Sequence, residues 1–263
     1  MCTEENIMNR LGYGFLMIVA ASLAWLGTSW AEEEPLTLEL ATAKIQMSTF
    51  YDGTTLDITG TLPAEADAVI QVSGPKKDVH LKQKGKVAGF LWMNKYDVSL
   101  ENTPAVYMVY TPTGNKEKFI NRELGVGYKA LVNEIAIEPE SADKEFIFGE
   151  YVKLMEKAGV YAVNEGTIKY GAVNNGVKTF TATLTIPSLM SAGDYTVEAL
   201  AVENGTAISR VKKNLVLELT GLPASIAKMA YGKPLLFGIM AVVIAIGTGL
   251  IIGMIFKGGG GAH

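Results

Sequence analysis

The chain has 263 residues, of which 49% are hydrophobic, and a formal net charge of −4 at pH 7 from 23 basic and 27 acidic side chains. That length suffices for one large domain or two small ones. The slight acidic excess gives no electrostatic footprint for nucleic acid, so we expect no nucleic-acid partner.

The N-terminal apolar stretch has the features of a secretory signal. It runs from Leu11 to Ala31 after Arg10, and it ends in Ser29-Trp30-Ala31, which places small residues where a signal peptidase cleaves. We therefore predict a signal peptide over residues 1–31. An uncleaved membrane helix is the alternative, because the basic region is thin. Cleavage removes Cys2, the only cysteine, and leaves a mature protein without disulfides or thiolate metal sites.

Short strands separated by turn signals are predicted between residues 36 and 111. Runs of about five to eight residues alternate or stay apolar, which is typical of an antiparallel sandwich of the immunoglobulin kind. The runs are LTLEL, TTLDITGTL, AVIQVSG, DVHLK, KVAGFLWM, YDVSLE and AVYMVYT.

Strands return after Val160. Asn174-Asn175-Gly176 and Asn204-Gly205 predict tight hairpin turns, since both supply residues that tolerate positive φ. Tyr195, shortly after Gly193, predicts a corner in which the tyrosine hydroxyl ties the loop to the sheet. The runs are GTIKYGAV, KTFTATLTI, GDYTVEALAVE, AISRVKK and NLVLELT.

Two helix-like runs lie between the β regions. In the first, over residues 115–138, apolar residues recur at three-to-five-residue spacing, although Gly125 and Gly127 weaken the pattern. The second runs from Ser141 to Gly159. The sequence thus predicts a helical pair.

The fold class predicted is mainly β, with immunoglobulin-like sandwich lobes, an intervening helical pair and one C-terminal transmembrane helix. The second lobe is small for a sandwich, so two separate domains and one continuous sandwich both remain open. The predicted segments are a signal peptide 1–31, a first β-sandwich lobe 32–112, a helical connector 113–159, a second β lobe 160–222, a juxtamembrane linker 223–234, a transmembrane helix 235–256 and a short cytoplasmic tail 257–263.

The second apolar stretch, Leu235–Phe256, is long enough to cross a membrane. It has 22 residues without a charge, which at about 1.5 Å per residue covers the roughly 30 Å of bilayer hydrocarbon. With the signal peptide, it predicts a single-pass protein of the bacterial inner membrane whose ectodomain lies in the periplasm. Lys228 and Lys233 oppose the positive-inside tendency, to which a large translocated domain is largely insensitive.

Small residues recur at every fourth position of this stretch. Ala241, Ala245, Gly249 and Gly253 would form one smooth face, and small residues four apart let helix backbones approach closely in lipid. The stripe predicts self-association or packing on a partner's membrane helix, alongside the lipid bilayer itself. Chance occurrence in a helix rich in glycine and alanine is the alternative.

Few residues of the exported part are candidates for catalysis or for binding a metal or an anion. His80, its only histidine, alternates with Lys82 and Lys84 on a strand face that should be solvated, with no nucleophile motif and no carboxylate cluster beside it. We expect no catalytic residue, no metal and no cofactor, and hence no enzyme. Arg122 and Arg210 are its only arginines and are candidates for binding an oxyanion; ordinary salt bridges are the alternative.

Residues 76–93 form a segment with five lysines followed by aromatic residues. Its lysines either dock an acidic partner or anionic headgroups, or protect an edge strand from pairing with another chain. Phe90, Trp92 and Met93 are expected to pack in the core or on a sheet, with a recognition surface as the alternative. The lysines are Lys76, Lys77, Lys82, Lys84 and Lys86.

Four stretches of the chain resemble a family of transmembrane proteins described from alphaproteobacteria, over Leu36 to Lys257. The resemblance implies a bacterial inner-membrane protein with a cleaved signal, a periplasmic β-rich domain and one C-terminal helix. It carries over no catalytic residues, and it suggests a sulfite-exporter-type permease as partner. The stretches are LTLELATAKIQMSTFYDGTTLDITGTL, VSGPKKDVHLKQKGKVAGFLWMN, FTATLTIPSLMSAGDYTVEAL and YGKPLLFGIMAVVIAIGTGLIIGMIFK.

Two functions are consistent with the sequence. The first is a periplasmic accessory module, held at the inner membrane and pairing its helix with a membrane permease or with itself. The alternative is a periplasmic binding module for a small anion such as an oxidised sulfur anion, held by Arg122 or Arg210. Because function depends on such surfaces more than on the fold, the fold alone does not identify the partner.

Overall fold

The computed structural model describes residues 36–87, 89–114, 116–139 and 143–256. The predicted signal peptide 1–31 and tail 257–263 lie outside the described residues.

Strands dominate the described residues, which confirms the mainly β prediction. The strands are β1 (Glu39–Leu40), β2 (Lys44–Met47), β3 (Thr54–Pro63), β4 (Asp67–Ser73), β5 (Lys76–Val87), β6 (Leu91–Pro104), β7 (Tyr107–Thr111), β8 (Ala136–Glu138), β9 (Tyr161–Glu165), β10 (Lys169–Asn174), β11 (Val177–Ile186), β12 (Gly193–Glu203) and β13 (Thr206–Leu219). The helices are α1 (Lys116–Phe119), α2 (Tyr128–Leu131), α3 (Lys144–Lys157), α4 (Gly221–Gly232) and α5 (Pro234–Phe256).

The strands form three sheets. The first has the order β1-β3-β11-β10, the second has the order β2-β13-β12-β4-β7-β9, and the third has the order β5-β6-β8. Most pairs are antiparallel, but β2 runs parallel to β13, and β7 runs parallel to β9. Both parallel contacts join strands that are far apart in the chain, so short hairpins alone do not build these sheets.

Strands from the two predicted lobes are neighbours in the same sheets. β3 pairs along its whole length with β11, from Thr54 opposite Ile186 to Pro63 opposite Val177. β4 pairs with β12 in the second sheet. The two β regions of the sequence therefore interleave, which is the continuous arrangement that the sequence leaves open.

The core lies where the apolar faces of the strands meet. β11 alternates buried and exposed residues from Thr179 to Ile186, as expected of a strand with one face in water. β7 is buried at every position and β12 at most, because these strands are covered on both faces. The absence of a side chain at Gly60 lets the β3 backbone lie directly against the Phe180 ring of β11, because a Cβ at this position would lie 2.6 Å from the ring.

The first helix-like run, over residues 115–138, is helical only in part. It contains α1 and α2, of four residues each, and ends in β8; Gly125 and Gly127 interrupt it between the two helices, with positive φ of 66° and 91°. The second helix is confirmed as α3. It begins after Asp143, whose carboxylate accepts a hydrogen bond from the Phe146 amide at 3.1 Å.

Both predicted hairpin turns are confirmed. Asn174 pairs with Val177 and Glu203 with Thr206 across two-residue loops, whose residues all have φ between 50° and 83°, as a type I′ turn requires. The tyrosine corner also forms: the buried Tyr195 hydroxyl donates to the Ser191 carbonyl oxygen at 2.7 Å.

Two helices follow the last strand. The segment predicted as linker is helical as α4, and α5 begins after a break at Lys233, where ψ is 63°. α5 has 23 residues, a mean hydropathy of 2.7 and no buried residue in its most apolar window. It is the one helix of the described residues long and apolar enough to cross a membrane.

Candidate functional site

The β5–β6 hairpin extends beyond the third strand of its sheet. Its register runs from Lys76 opposite Pro104 to Val87 opposite Leu91, whereas β8 pairs only with Ser99–Glu101. From Lys82 to its end, the hairpin is therefore paired only as a two-stranded ribbon. At about 3.3 Å per residue this ribbon is about 17 Å long.

The hairpin ends in exposed apolar side chains, and we call the described residues 87 and 89–93 the hairpin tip. Phe90 is 78% exposed and Trp92 65% exposed; Val87, Leu91 and Met93 are also exposed. The expectation that Phe90, Trp92 and Met93 pack in the core or on a sheet is thus wrong, because the strands that cover the base of the hairpin end before the tip. An exposed apolar cluster of this kind marks an interaction surface.

Lysines of β5 lie at and next to the tip. The Lys86 ammonium lies 5.5 Å from the centroid of the Trp92 ring, which is cation–π distance. Lys82 lies 3.8 Å from Asp97, but neither Lys84 nor Lys86 forms an ion pair with a described residue. Their charges are therefore available to an external group.

An apolar groove separates the base of the hairpin from α3. It has a volume of about 360 Å³, and Leu81 and Val98 of the hairpin face Phe146 and Leu154 of α3 across it. Phe146 and Leu154 are exposed. Lys82, Lys84 and Glu150 also line it, so the groove is apolar with charged side chains among its lining.

His80 is exposed on β5, opposite Ser99. It lines an open groove of about 630 Å³ together with Lys82, Asp97 and Glu138. Within the described ranges, no group of three or more histidine, cysteine or carboxylate side chains is placed to hold a metal ion.

Arg122 and Arg210 both lie near the loop that contains Leu124, and the Arg210 side chain is hydrogen-bonded to it. Arg210 Nη2 donates to the Leu124 carbonyl oxygen at 2.5 Å, and its Nη1 lies 3.5 Å from Glu198 Oε1. Lys212 lies 3.7 Å from the same carboxylate. Arg122 is two residues before Leu124 and is exposed. The placement of Arg210 favours the salt-bridge alternative; oxyanion binding by Arg122 stays a prediction.

Four tyrosines pack ring against ring, a cluster that the sequence analysis does not predict. The Tyr161 ring on β9 lies 6.0 Å from Tyr107, 6.1 Å from Tyr128 and 5.8 Å from Tyr151, between centroids. These residues lie on β7, α2 and α3 respectively. The cluster therefore packs α2 and α3 of the helical connector against β7 and β9 of the second sheet.

Burial raises the pKa values of the hydroxyls in this cluster. It raises the pKa of Tyr107 to about 12 and also raises the pKa values of Tyr128, Tyr151 and Tyr161. At neutral pH the hydroxyls are protonated and able to donate: Tyr161 donates to the Pro104 carbonyl oxygen at 2.7 Å and Tyr107 to Gln71 Oε1 at 3.0 Å. The Gly127 amide in turn donates to the Tyr107 hydroxyl at 2.8 Å.

The small-residue face of α5 is uncovered. Ala241, Ala245, Gly249 and Gly253 are all exposed. A Cβ added at Gly249 or Gly253 would find no described atom within 4 Å. This face is thus free for lipid or for another helix.

The fold and α5 together define a class: a β-rich domain with one C-terminal helix of membrane-spanning length. A family model described as "Putative transmembrane protein (Alph_Pro_TM)" matches residues 35–258, most of the chain. The chain belongs to this family, which confirms the resemblance found in the sequence. No curated protein matches the chain.

Proposed function

We propose that the protein is an accessory subunit of the bacterial inner membrane, and that it holds a periplasmic β-rich domain beside a membrane permease. In this proposal the protein is a binding component and not an enzyme. The signal-like segment 1–31 supports export of the domain, and the large translocated domain accounts for lysines on the exported side of α5.

The observation that carries the proposal is the unburied surface of α5. None of its most apolar window is buried, so in a bilayer it must meet lipid or another helix. Because lipid tails are as apolar as leucine, helices associate in membranes through close packing of small side chains. The face formed by Ala241, Ala245, Gly249 and Gly253 permits such packing.

The connection between domain and helix supports the same role. β13 is followed within two residues by α4, and α4 is separated from α5 by Lys233 alone. Lys233 donates its amide to the Met229 carbonyl oxygen, and Phe237 donates to that of Lys233. Short hydrogen-bonded connections of this kind keep the β-rich domain close to whatever protein α5 binds.

The test is extraction of the tagged full-length protein from its native membrane in mild detergent, followed by mass spectrometry of the proteins that co-purify. We expect a membrane permease with the parent protein and its loss with Gly249→Leu, Gly253→Leu. The matched control is Gly247→Leu, which adds a leucine about 200° around the helix from Gly249 and should retain the partner.

Two results would contradict the proposal. One is recovery of the parent protein without a permease, whether as a monomer or as a homodimer. The other is a permease that stays bound to Gly249→Leu, Gly253→Leu as firmly as to the parent.

A further inference from the structure

We propose that the hairpin tip, residues 87 and 89–93, is a second membrane contact, which inserts among the anionic lipid headgroups of the bilayer that α5 crosses. This inference goes beyond the accessory role, because it depends on the hairpin and would hold whether or not α5 binds a permease.

The first argument is the distribution of apolar groups around the tip. The register places Val87 opposite Leu91 on one face of the ribbon and Lys86 opposite Trp92 on the other, with Phe90 in the turn between the strands. Both faces and the end of the hairpin therefore expose apolar groups. A protein surface that pairs with one face would leave the other in water, whereas a bilayer surrounds an inserted tip on all sides.

The second argument is depth. From Gly85 opposite Met93 to Val87 opposite Leu91, the tip extends about 7 Å along the strands. This matches the roughly 5–10 Å to which apolar faces of peripheral proteins enter the headgroup region. Tryptophan is enriched at that level, where its ring is apolar and its N–H remains hydrated.

The third argument is charge. Residues 84–96 contain three lysines and no acidic residue, although the chain as a whole is acidic. Lys84 and Lys86 have no ion-pair partner among the described residues, and their flexible stems can carry the ammonium groups outward while the tip is inserted. Anionic headgroups attract lysines held at the membrane surface.

The fourth argument is that the ribbon benefits from being covered. A two-stranded hairpin is marginally stable in water, and this one has a third strand only along Ser99–Glu101. Since α5 is of membrane-spanning length, it would hold the hairpin near a bilayer at high effective concentration. Weak insertion then suffices to keep the tip docked.

The experiment uses the full-length protein in nanodiscs, with Trp25 and Trp30 replaced by phenylalanine so that Trp92 is the only tryptophan. The probe is a bilayer of equal parts phosphatidylcholine and phosphatidylglycerol that contains lipid brominated near the headgroup. We expect Trp92 fluorescence to be quenched strongly, and to shift to shorter wavelength relative to nanodiscs of phosphatidylcholine alone.

Two variants test the lysines and one tests the location. Lys84→Ser, Lys86→Ser should lower the ratio of docked to undocked tip by about thirtyfold, whereas Lys212→Ser, Lys213→Ser removes the same charge from β13 and should change little. Trp92→Phe with Val173→Trp moves the tryptophan to an exposed position on β10 beside another hairpin turn, where we expect weak quenching.

The proposal is overturned if brominated lipid quenches Trp92 no more than the tryptophan introduced by Val173→Trp. It is also overturned if Trp92 emission shifts to shorter wavelength without quenching, because the tip is then covered by protein, either a second copy or a partner. Equal quenching in nanodiscs with and without phosphatidylglycerol would remove the anionic headgroup as the ligand.

Discussion

Arg210 on β13 donates a hydrogen bond to the carbonyl oxygen of Leu124, 86 residues earlier in the chain. The same guanidinium lies beside Glu198, which is only 9% exposed. The Arg210 side chain thus holds the loop before α2 against β13 and balances the negative charge of a nearly buried carboxylate on β12.

Replacing this side chain should destabilise the fold. Arg210→Ala leaves the Leu124 carbonyl without its donor and Glu198 with Lys212 alone, so we expect a loss of about 2 kcal/mol in the free energy of unfolding. Arg122→Ala, in the exposed loop, is the matched control and should change stability by less than about 0.5 kcal/mol. Urea unfolding of the detergent-solubilised protein measures both.

The same pair of variants tests anion binding. If Arg122 and Arg210 held an oxidised sulfur anion, sulfite, sulfate or thiosulfate would raise the unfolding midpoint of the parent, and both variants would lose the shift. We expect no shift that depends on Arg210, because its donors face Glu198 and Leu124. A reproducible shift that Arg210→Ala abolishes would contradict this, whereas a shift lost with Arg122→Ala alone would support oxyanion binding by the exposed Arg122.

Two glycines should respond to alanine in opposite directions. At Gly60 a Cβ would lie 2.6 Å from the Phe180 ring and closer still to the Thr37 carbonyl oxygen, so Gly60→Ala should cost about 1–3 kcal/mol by overpacking. At Gly149 on α3 a Cβ meets open space, so Gly149→Ala should stabilise by up to about 1 kcal/mol through helix propensity. Thermal unfolding of the two variants gives the signs, and equal effects would refute the packing account.

The tyrosine corner should contribute measurably. Tyr195→Phe removes the hydroxyl that donates to the Ser191 carbonyl oxygen but keeps the buried ring, so we expect a loss of about 1 kcal/mol. Tyr231→Phe is the control, because that residue is 91% exposed on α4. A Tyr195→Phe variant as stable as the control would show that the hydrogen bond contributes nothing.

Stability should fall in alkali. Burial raises the pKa values of Tyr107, Tyr110 and Tyr170 from 10.0 to about 12. Because the folded pKa is the higher one, the unfolded chain loses these protons first as pH rises. Their contribution is complete below about pH 10 and is lost as pH rises toward 12.

The measurement is the free energy of unfolding across that range, with tyrosinate absorbance recorded in parallel. Tyr107→Phe should have a shallower alkaline slope than the parent, since one shifted proton is gone. Val109→Ala, which changes packing on the same strand but removes no proton, should keep the parent slope. An alkaline slope that Tyr107→Phe leaves unchanged would assign the effect to other groups.

Features encoded by neighbouring residues were predictable from the sequence. The turns at Asn174-Asn175-Gly176 and Asn204-Gly205 depend on two or three residues, and α5 depends on composition and length. The cap of α3, Asp143, and its terminator, Gly159, lie within two residues of its ends in the sequence. In each case the signal is local, so a single sequence carries it.

Features that depend on distant pairing were not predictable in this way. β2 has four residues and is held by parallel pairing with β13, for which no local pattern exists. The sequence predicts two strands where β13 is one, because Lys212–Asn214 interrupts the alternation. It predicts one strand over KVAGFLWM, because the turn at Gly89-Phe90 lacks the Asn-Gly signal of the other hairpins.

The same limit applies to the candidate site. Aromatic residues in a β segment are usually packed. Phe90 and Trp92 are in water because β8 pairs only with Ser99–Glu101 and does not extend along the hairpin to its tip. Arg210 acts through Leu124, which the sequence gives no reason to place nearby. The tyrosine cluster combines residues from four elements, none of which forms a motif.

The pairing of β13 also sets how the protein would respond to tension. Any pull along α5 reaches the β-rich domain through the C-terminal end of β13, which is hydrogen-bonded to β12 on one side and runs parallel to β2 on the other. A pull in line with β13 would load these hydrogen bonds in shear, so that many of them would have to break together instead of opening one at a time. The strand that carries the membrane-spanning helix is thus held by a neighbour on each side, while α4 and Lys233 lie between it and α5.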